Sequence, residues 1–145
     1  MKRTNHILLL GCGKMGSALL RGWLLQSDVT LNITVIEPSG ILDELADATN
    51  VQCYPSISGF SEASQAQSDY APIDLAVLAV KPQIMAQALI PLADIQTDNM
   101  AVLSIAAGLS CKWLSSHLKN SQLIIRAMPN LPASIGAGIT ALYAN

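Results

Sequence analysis

The sequence predicts an α/β fold built on a doubly wound, mainly parallel β-sheet. Three observations predict it. Short, continuously apolar runs alternate with amphipathic stretches, the pattern of βαβ units. Apolar residues make up 51% of the chain, against 12% charged and 4% aromatic, which suits aliphatic strands buried under helices on both faces. The length of 145 residues matches one domain, 1–145, with a substantial core.

The elements follow in order. His6 to Leu10 is a first strand, too continuously apolar to have a wet face. Lys14 to Gln26 is a helix, with Met15, Leu19, Leu20 and Trp23 on one stripe. Asn32 to Ile36 is a second strand, ended by Pro38, and a helix follows through Leu42 and Leu45. Val51 to Tyr54 is a short third strand. Residues 55–72 are rich in Ser, Ala and Gln with little periodicity, and read as a loop or a loosely held helix, the least ordered part of the domain. Asp74 to Val80 is a strongly apolar strand, and Gln83 to Leu92 a helix preceded by Pro82. Met100 to Ile105 is a strand, Lys112 to Leu118 a helix, and Gln122 to Ala127 a strand broken by Pro129 and Pro132. Ile139 to Tyr143 is the last strand. No internal repeat or linker interrupts the series.

Gly11-Cys12-Gly13-Lys14-Met15-Gly16 fits GxGxxG. Glycine triplets alone are a weak pattern, but here a buried strand runs into the motif and an amphipathic helix leaves it. That context reads as the phosphate-binding turn of a nicotinamide dinucleotide. Gly11 makes the tight turn, Gly13 admits the diphosphate to the backbone, and Gly16 lets the helix pack closely on the sheet. The free amides of the first helical turn then face the phosphates. Glu37, at the end of the second strand and followed by Pro38, stands 21 residues beyond Gly16, close to the spacing of about 20 for an acidic residue that holds the adenosine ribose. Its carboxylate would repel a 2′-phosphate, and no Arg or Lys follows to neutralise one, so the residues favour NAD over NADP.

Three further segments close strands at the sheet edge where ligands bind in open α/β folds. In Ala79-Val80-Lys81-Pro82, small Ala79 and rigid Pro82 form a wall and Lys81 offers a cation; a solvated or capping lysine is the plainer use. The small side chains of Ser104-Ile105-Ala106-Ala107-Gly108 leave room for a flat ring. Arg126-Ala127-Met128-Pro129-Asn130-Leu131-Pro132-Ala133 is rigid and polar-tipped, and Asn130 either presents its amide to the crevice or caps its own turn.

In this order and spacing, Gly11 to Gly16, Ala79 to Gln83, Ser104 to Gly108 and Arg126 to Asn130 resemble the pyrroline-5-carboxylate reductase family over nearly the whole chain. The resemblance implies a Rossmann-type fold and the NAD(P)H-dependent reduction of 1-pyrroline-5-carboxylate to L-proline. It places Gly11, Cys12, Gly13, Lys14, Met15 and Gly16 on the diphosphate, and Ala79, Val80, Lys81 and Pro82 on the adenosine side. Ile105, Ala106, Ala107 and Asn130 then lie toward the nicotinamide. Family habit implies NADP, whereas Glu37 argues for NAD. The resemblance also implies a homo-oligomer for the full-length family, formed by a helical C-terminal dimerisation domain that holds most of the imino-acid site. That domain has no counterpart before Asn145, so this chain is expected to bind cofactor weakly and turn over little substrate. The alternatives are another NAD(P)- or deazaflavin-linked dehydrogenase domain, and a stand-alone nucleotide-binding module without catalysis.

The remaining residues bound the function. A net charge of −2 offers no footprint for nucleic acid or an anionic membrane. Cys12, Cys53 and Cys111 are odd in number and widely spaced, which argues against a disulfide framework or a metal site and suits a reducing cytoplasm. Lys2 and Arg3 ahead of Ile7 to Leu10 mimic a secretion signal, but the apolar stretch is far short of the roughly 7–15 residues a signal needs. Asp74, Lys81 and Arg126 interrupt every stretch that approaches the roughly 18 residues of a membrane helix. A soluble, cytoplasmic protein is expected. No residue is assigned as the catalytic acid: His6 opens a strand, His117 lies on a late helix, and Cys12 sits inside the glycine turn, where a thiol packs rather than attacks.

Overall fold

The computed structural model describes residues 5–67, 70–118, 123–130, 132, 135 and 137–144. Lys2, Arg3, Gln122, Leu131 and Ala133, used in the reading above, lie outside these residues, as do 68 and 69. The elements are β1 (Asn5–Leu10), α1 (Lys14–Leu24), β2 (Leu31–Ile36), α2 (Asp43–Ala46), β3 (Val51–Tyr54) and α3 (Ile57–Gln65). There follow β4 (Leu75–Leu78), a 3₁₀ turn (Pro82–Ile84) running into α4 (Met85–Ile95), β5 (Ala101–Ser104), α5 (Cys111–His117), β6 (Ile124–Pro129) and β7 (Thr140–Ala144).

The strands form one seven-stranded sheet in the order β3-β2-β1-β4-β5-β6-β7. Every pairing is parallel except that of β6 with β7. The chain winds outward from β1 to β3, then returns to the other side of β1 to lay down β4, so the direction of winding reverses between β1 and β4. This is the Rossmann-type, doubly wound sheet that the sequence predicts, and the reversal opens a crevice at the carboxyl ends of the central strands.

Alternation along each strand divides the core in two. Leu8, Leu10, Ile36, Ala76, Leu78, Val102 and Ile124 face α3, α4 and α5, whereas Ile7, Leu9, Ile33, Val35 and Val77 face α1 and α2. His6 is buried on the first of these faces at the amino end of β1, and its ring is satisfied. Nδ1 meets the Ala71 carbonyl oxygen at 2.9 Å and Nε2 the Thr34 hydroxyl at 2.9 Å, with the Tyr70 ring set edge-on against it. It stands at the opposite end of the sheet from the crevice, in keeping with a structural rather than a catalytic histidine.

Several boundaries differ from the sequence reading, each for a physical reason. The segment taken as a loop or loosely held helix contains α3, which Ser56 caps by accepting the Gly59 amide on its hydroxyl. Ile57 and Phe60 anchor it in the core. Burying Phe60 alone is worth about 1.5–3 kcal/mol, so two apolar positions hold a helix that otherwise looks polar. Strand β4 pairs only from Leu75 to Leu78, because Asp74 turns its carboxylate onto the His6 amide and Ala79 already bends toward the glycine turn. Helix α4 continues through Pro91 to Ile95, since Leu89 and Leu92 on either side are fully buried. Strand β6 runs on to Pro129: beyond Arg126 it has no partner in β5, and a residue without an N–H is tolerated on an open edge.

Candidate functional site

The carboxyl ends of β1, β2, β4 and β5 bring four of the sequence-predicted segments to one edge. Backbone bonds tie them in series: Gly11 N–H to Ile36 O, Ala79 N–H to Leu10 O, and Ile105 N–H to Leu78 O, at 2.9, 2.8 and 3.1 Å. Gly11–Gly16, Glu37–Pro38, Ala79–Pro82 and Ile105–Ala107 therefore line a single rim across the crevice.

The three glycines of the turn meet different surroundings. Gly11 has φ +91°, in the left-handed region, and a Cβ there would sit 2.9 Å from Val80 Cγ1 and 3.0 Å from the Ala79 backbone. At Gly16 a Cβ would fall 2.5 Å from the Gly11 carbonyl oxygen, so the first turn of α1 can lie on the loop only without one. Gly13 has nothing within 4 Å of the corresponding point. Its face is open to an approaching molecule. Gly13 is also the N-cap of α1 and carries no side chain to cap it; the first amide bonded within the helix is that of Ser17, to Gly13 O at 2.9 Å. The amides of Lys14, Met15 and Gly16 precede that bond, no acidic side chain occupies the first turn, and the positive end of the helix points over the open face. A diphosphate fits this cradle. Lys14 is exposed and Met15 half-buried.

Glu37 adds a contact that the sequence does not reveal. Its Oε2 accepts the Cys12 amide at 2.9 Å, and its Oε1 accepts the Ser39 hydroxyl at 2.7 Å and the Ser39 amide at 3.2 Å. Burial raises the Glu37 pKa, but the bonds from Ser39 and Cys12 outweigh it and hold the carboxyl below its ordinary range. The carboxylate thus stays charged at the rim and ties the end of β2 to the glycine turn. Of the amides expected to face the phosphates, that of Cys12 is already engaged. Pro38 is exposed in the turn that Gly40 closes through its amide to Glu37 O. The Cys12 thiol is pushed up to about 11, first by burial and then by the Glu37 charge, which leaves it protonated and a poor nucleophile.

On the other side of the crevice Ala79 and Val80 pack against Gly16 and Gly11. Pro82 starts the 3₁₀ turn behind them, and Lys81 is exposed and makes no side-chain cap to that turn. Ile105 is half-buried, Ala106 buried and Ala107 exposed, with Gly108 at φ +76° closing the loop. Asn130 is spent differently from the crevice-facing use considered for it: its Oδ1 accepts the Ile139 amide at 2.9 Å, which caps the connection from β6 to β7. Arg126, read from the sequence only as part of a motif, reaches from β6 to the Ala106 carbonyl oxygen at 2.8 Å. A lone arginine inside an apolar strand was the signal available for it.

His117 lies on α5, its ring stacked on Trp113, away from this rim. Among the described residues no group of three or more His, Cys, Asp or Glu is placed to hold a metal ion, and no helix is long and apolar enough to cross a membrane.

Comparison with known proteins agrees with this geometry. A family model described as "NADP oxidoreductase coenzyme F420-dependent" matches residues 6–108. The pyrroline-5-carboxylate reductase of Vibrio alginolyticus is 34% identical over 140 residues, covering 97% of this chain and 48% of the relative. A solved pyrroline-5-carboxylate reductase from Coxiella burnetii is 28% identical with a TM-score of 0.78, over 99% of this chain and 50% of that one. The pyrroline carboxylate reductase of Plasmodium falciparum, solved with NADP bound, shares the fold at a TM-score of 0.75 and 24% identity, over 100% of this chain and 49% of that one. The chain thus spans about half the length of the relatives it matches.

Proposed function

This chain belongs to the family described as NADP oxidoreductase, coenzyme F420-dependent, and from that premise we propose that residues 1–145 form the dinucleotide-binding domain of an enzyme that reduces 1-pyrroline-5-carboxylate to proline. The observation that carries the reading is the open face of Gly13 under the uncapped start of α1, with Glu37 beside it. The choice of substrate rests on similarity to relatives named pyrroline-5-carboxylate reductase along 97% of the chain.

In this reading the diphosphate lies on the amides of Gly13 to Gly16, and Ala79 to Pro82 wall the adenosine side. The nicotinamide lies toward Ile105, Ala106 and Ala107, with Asn130 supporting the strand end behind them. The bound dinucleotide supplies the hydride. The chain's own part is to hold and orient it, and no residue is assigned as the acid for the imine nitrogen. Glu37 selects NADH: its free lone pairs accept the ribose hydroxyls, its charge repels a 2′-phosphate, and Arg21 of α1 is already paired with Glu44 at 2.7 Å.

Titration of the chain with NADH and NADPH, beside an assay with 1-pyrroline-5-carboxylate, tests this. NADH binding tighter by about tenfold, about 1.4 kcal/mol, with low turnover by this half-length chain, is the expected outcome. Tighter NADPH binding removes the role given to Glu37, and binding of neither removes the dinucleotide site. A second reading follows from the family's own description: hydride exchange with a deazaflavin coenzyme. Reduction of coenzyme F420 by NADPH in place of the imino acid favours it.

A further inference from the structure

One residue at the rim, Ala106, is held through both of its flanking peptide groups. The Ala106 amide donates to Ser104 Oγ at 3.2 Å, and the Ala106 carbonyl accepts from Arg126 Nη2 at 2.8 Å. Ser104 and Ala106 are both buried. Arg126 stands directly across from Ser104 in the parallel pairing of β5 with β6, so both grips on Ala106 come from one register position of the sheet. Turning the Ile105–Ala106 peptide breaks a neutral hydrogen bond, and turning the Ala106–Ala107 peptide breaks a charge-assisted one.

The half-buried guanidinium lies against the protein. Its Nη2 also lies 3.5 Å from Met128 Sδ, and its Nε is sealed from solvent with no acceptor among the described residues. Its bond to the Ala106 carbonyl makes it a strut between β6 and the loop after β5. The adenosine end shows the mirror arrangement, in which Glu37 grips the Cys12 amide. A single charged side chain therefore fastens the backbone at each end of the rim.

The geometry points to Arg126 as a positioning residue for the nicotinamide end of the dinucleotide. By fixing the Ala106 carbonyl it sets the height of Ile105 and Ala107, on which the ring lies, and so the depth at which the ring is presented to the imine. This rests on the dinucleotide reading given above.

The experiment compares two probes on the same chain. NADH carries the nicotinamide ring and ADP-ribose lacks it, so the pair separates the two ends of the site. Unmodified protein is expected to bind both. Arg126→Ala should weaken NADH by about tenfold and dull the fluorescence gain of bound NADH, while ADP-ribose affinity stays within about twofold of unmodified protein. Arg126→Lys, which keeps the charge but loses the planar fork, should fall between. Should Arg126→Ala fail to fold, Ser104→Ala removes the opposite grip and is expected to show the same selective loss. Equal weakening of both probes, or no change in NADH, overturns the role of Arg126 while leaving the dinucleotide site standing. Failure of unmodified protein to bind either probe overturns the site itself and this inference with it.

Discussion

The two halves of the sheet are finished differently. At β1, in the middle of the half that holds β1 to β4, both faces are covered: Leu8 and Leu9, adjacent residues on opposite sides of the strand, are each fully buried. Past β4, helices α4 and α5 cover one face, but among the described residues no helix covers the other. There a shallow apolar groove of about 160 Å³ runs from Trp23 and Leu19 to Ala127, Pro129 and Leu142, and Leu142 is 68% exposed. The glycine turn and Glu37 belong to the closed half, whereas the Asn130 connection and β7 belong to the open one. The difference separates a well-buried part of the fold, which holds the proposed cofactor cradle, from a part whose apolar surface is left partly exposed.

This contrast can be broken most sharply with a matched pair of substitutions. Leu9→Ala should cost about 2–5 kcal/mol in chemical denaturation, and Leu142→Ala no more than about 0.5 kcal/mol. Similar losses at the two sites would mean that the open face is as well packed as the closed one. Next in size, Gly16→Ala forces its new Cβ onto the Gly11 carbonyl and should cost about 1–3 kcal/mol, with loss of cofactor binding measured by calorimetry. Retained stability and binding would show that α1 can lift off the turn at no penalty.

A smaller effect is expected from Glu37→Gln. Removing the charge should shift the NADH-to-NADPH affinity ratio toward NADPH by about tenfold, and an unchanged ratio would take the carboxylate out of cofactor choice. The same variant bears on acid stability. Because the folded Glu37 carboxyl is held below its ordinary value of 4.5, its contribution is present above that value and lost as the pH falls through the lowered one. The variant should lack this part of the acid limb, a small one for a largely solvated group. Smallest of all, Cys12, with its thiol pushed up to about 11, should alkylate more slowly at pH 8 than an unhindered thiol; mass mapping of iodoacetamide adducts reads this directly.

Most of the closed half was legible in the sequence, because strands buried on both faces must be continuously apolar and the glycine spacing is tied to backbone geometry. Helix α3 was not, since Ile57 and Phe60 alone mark its inward side in a run of Ser, Ala and Gln. The uses of Asn130 and Arg126 were hidden for another reason. They depend on which residues face each other across β5, β6 and β7, and register between distant strands leaves no local trace. The bare face past β4 was equally invisible, because an apolar residue reads the same whether or not another element covers it. At Glu37 the reading of a charge at the strand end agrees with the structure, while the bond to the Cys12 amide needed coordinates.

The central claim is that a dinucleotide lies with its diphosphate over the start of α1. Amide NMR spectra of the labelled chain during an NADH titration test it most directly. The largest shifts are expected at Gly13, Lys14 and Met15, with the amino-edge residues His6 and Asn32 unmoved. Shifts centred on the amino edge or the open apolar face, with Gly13 to Met15 silent at saturation, would contradict it.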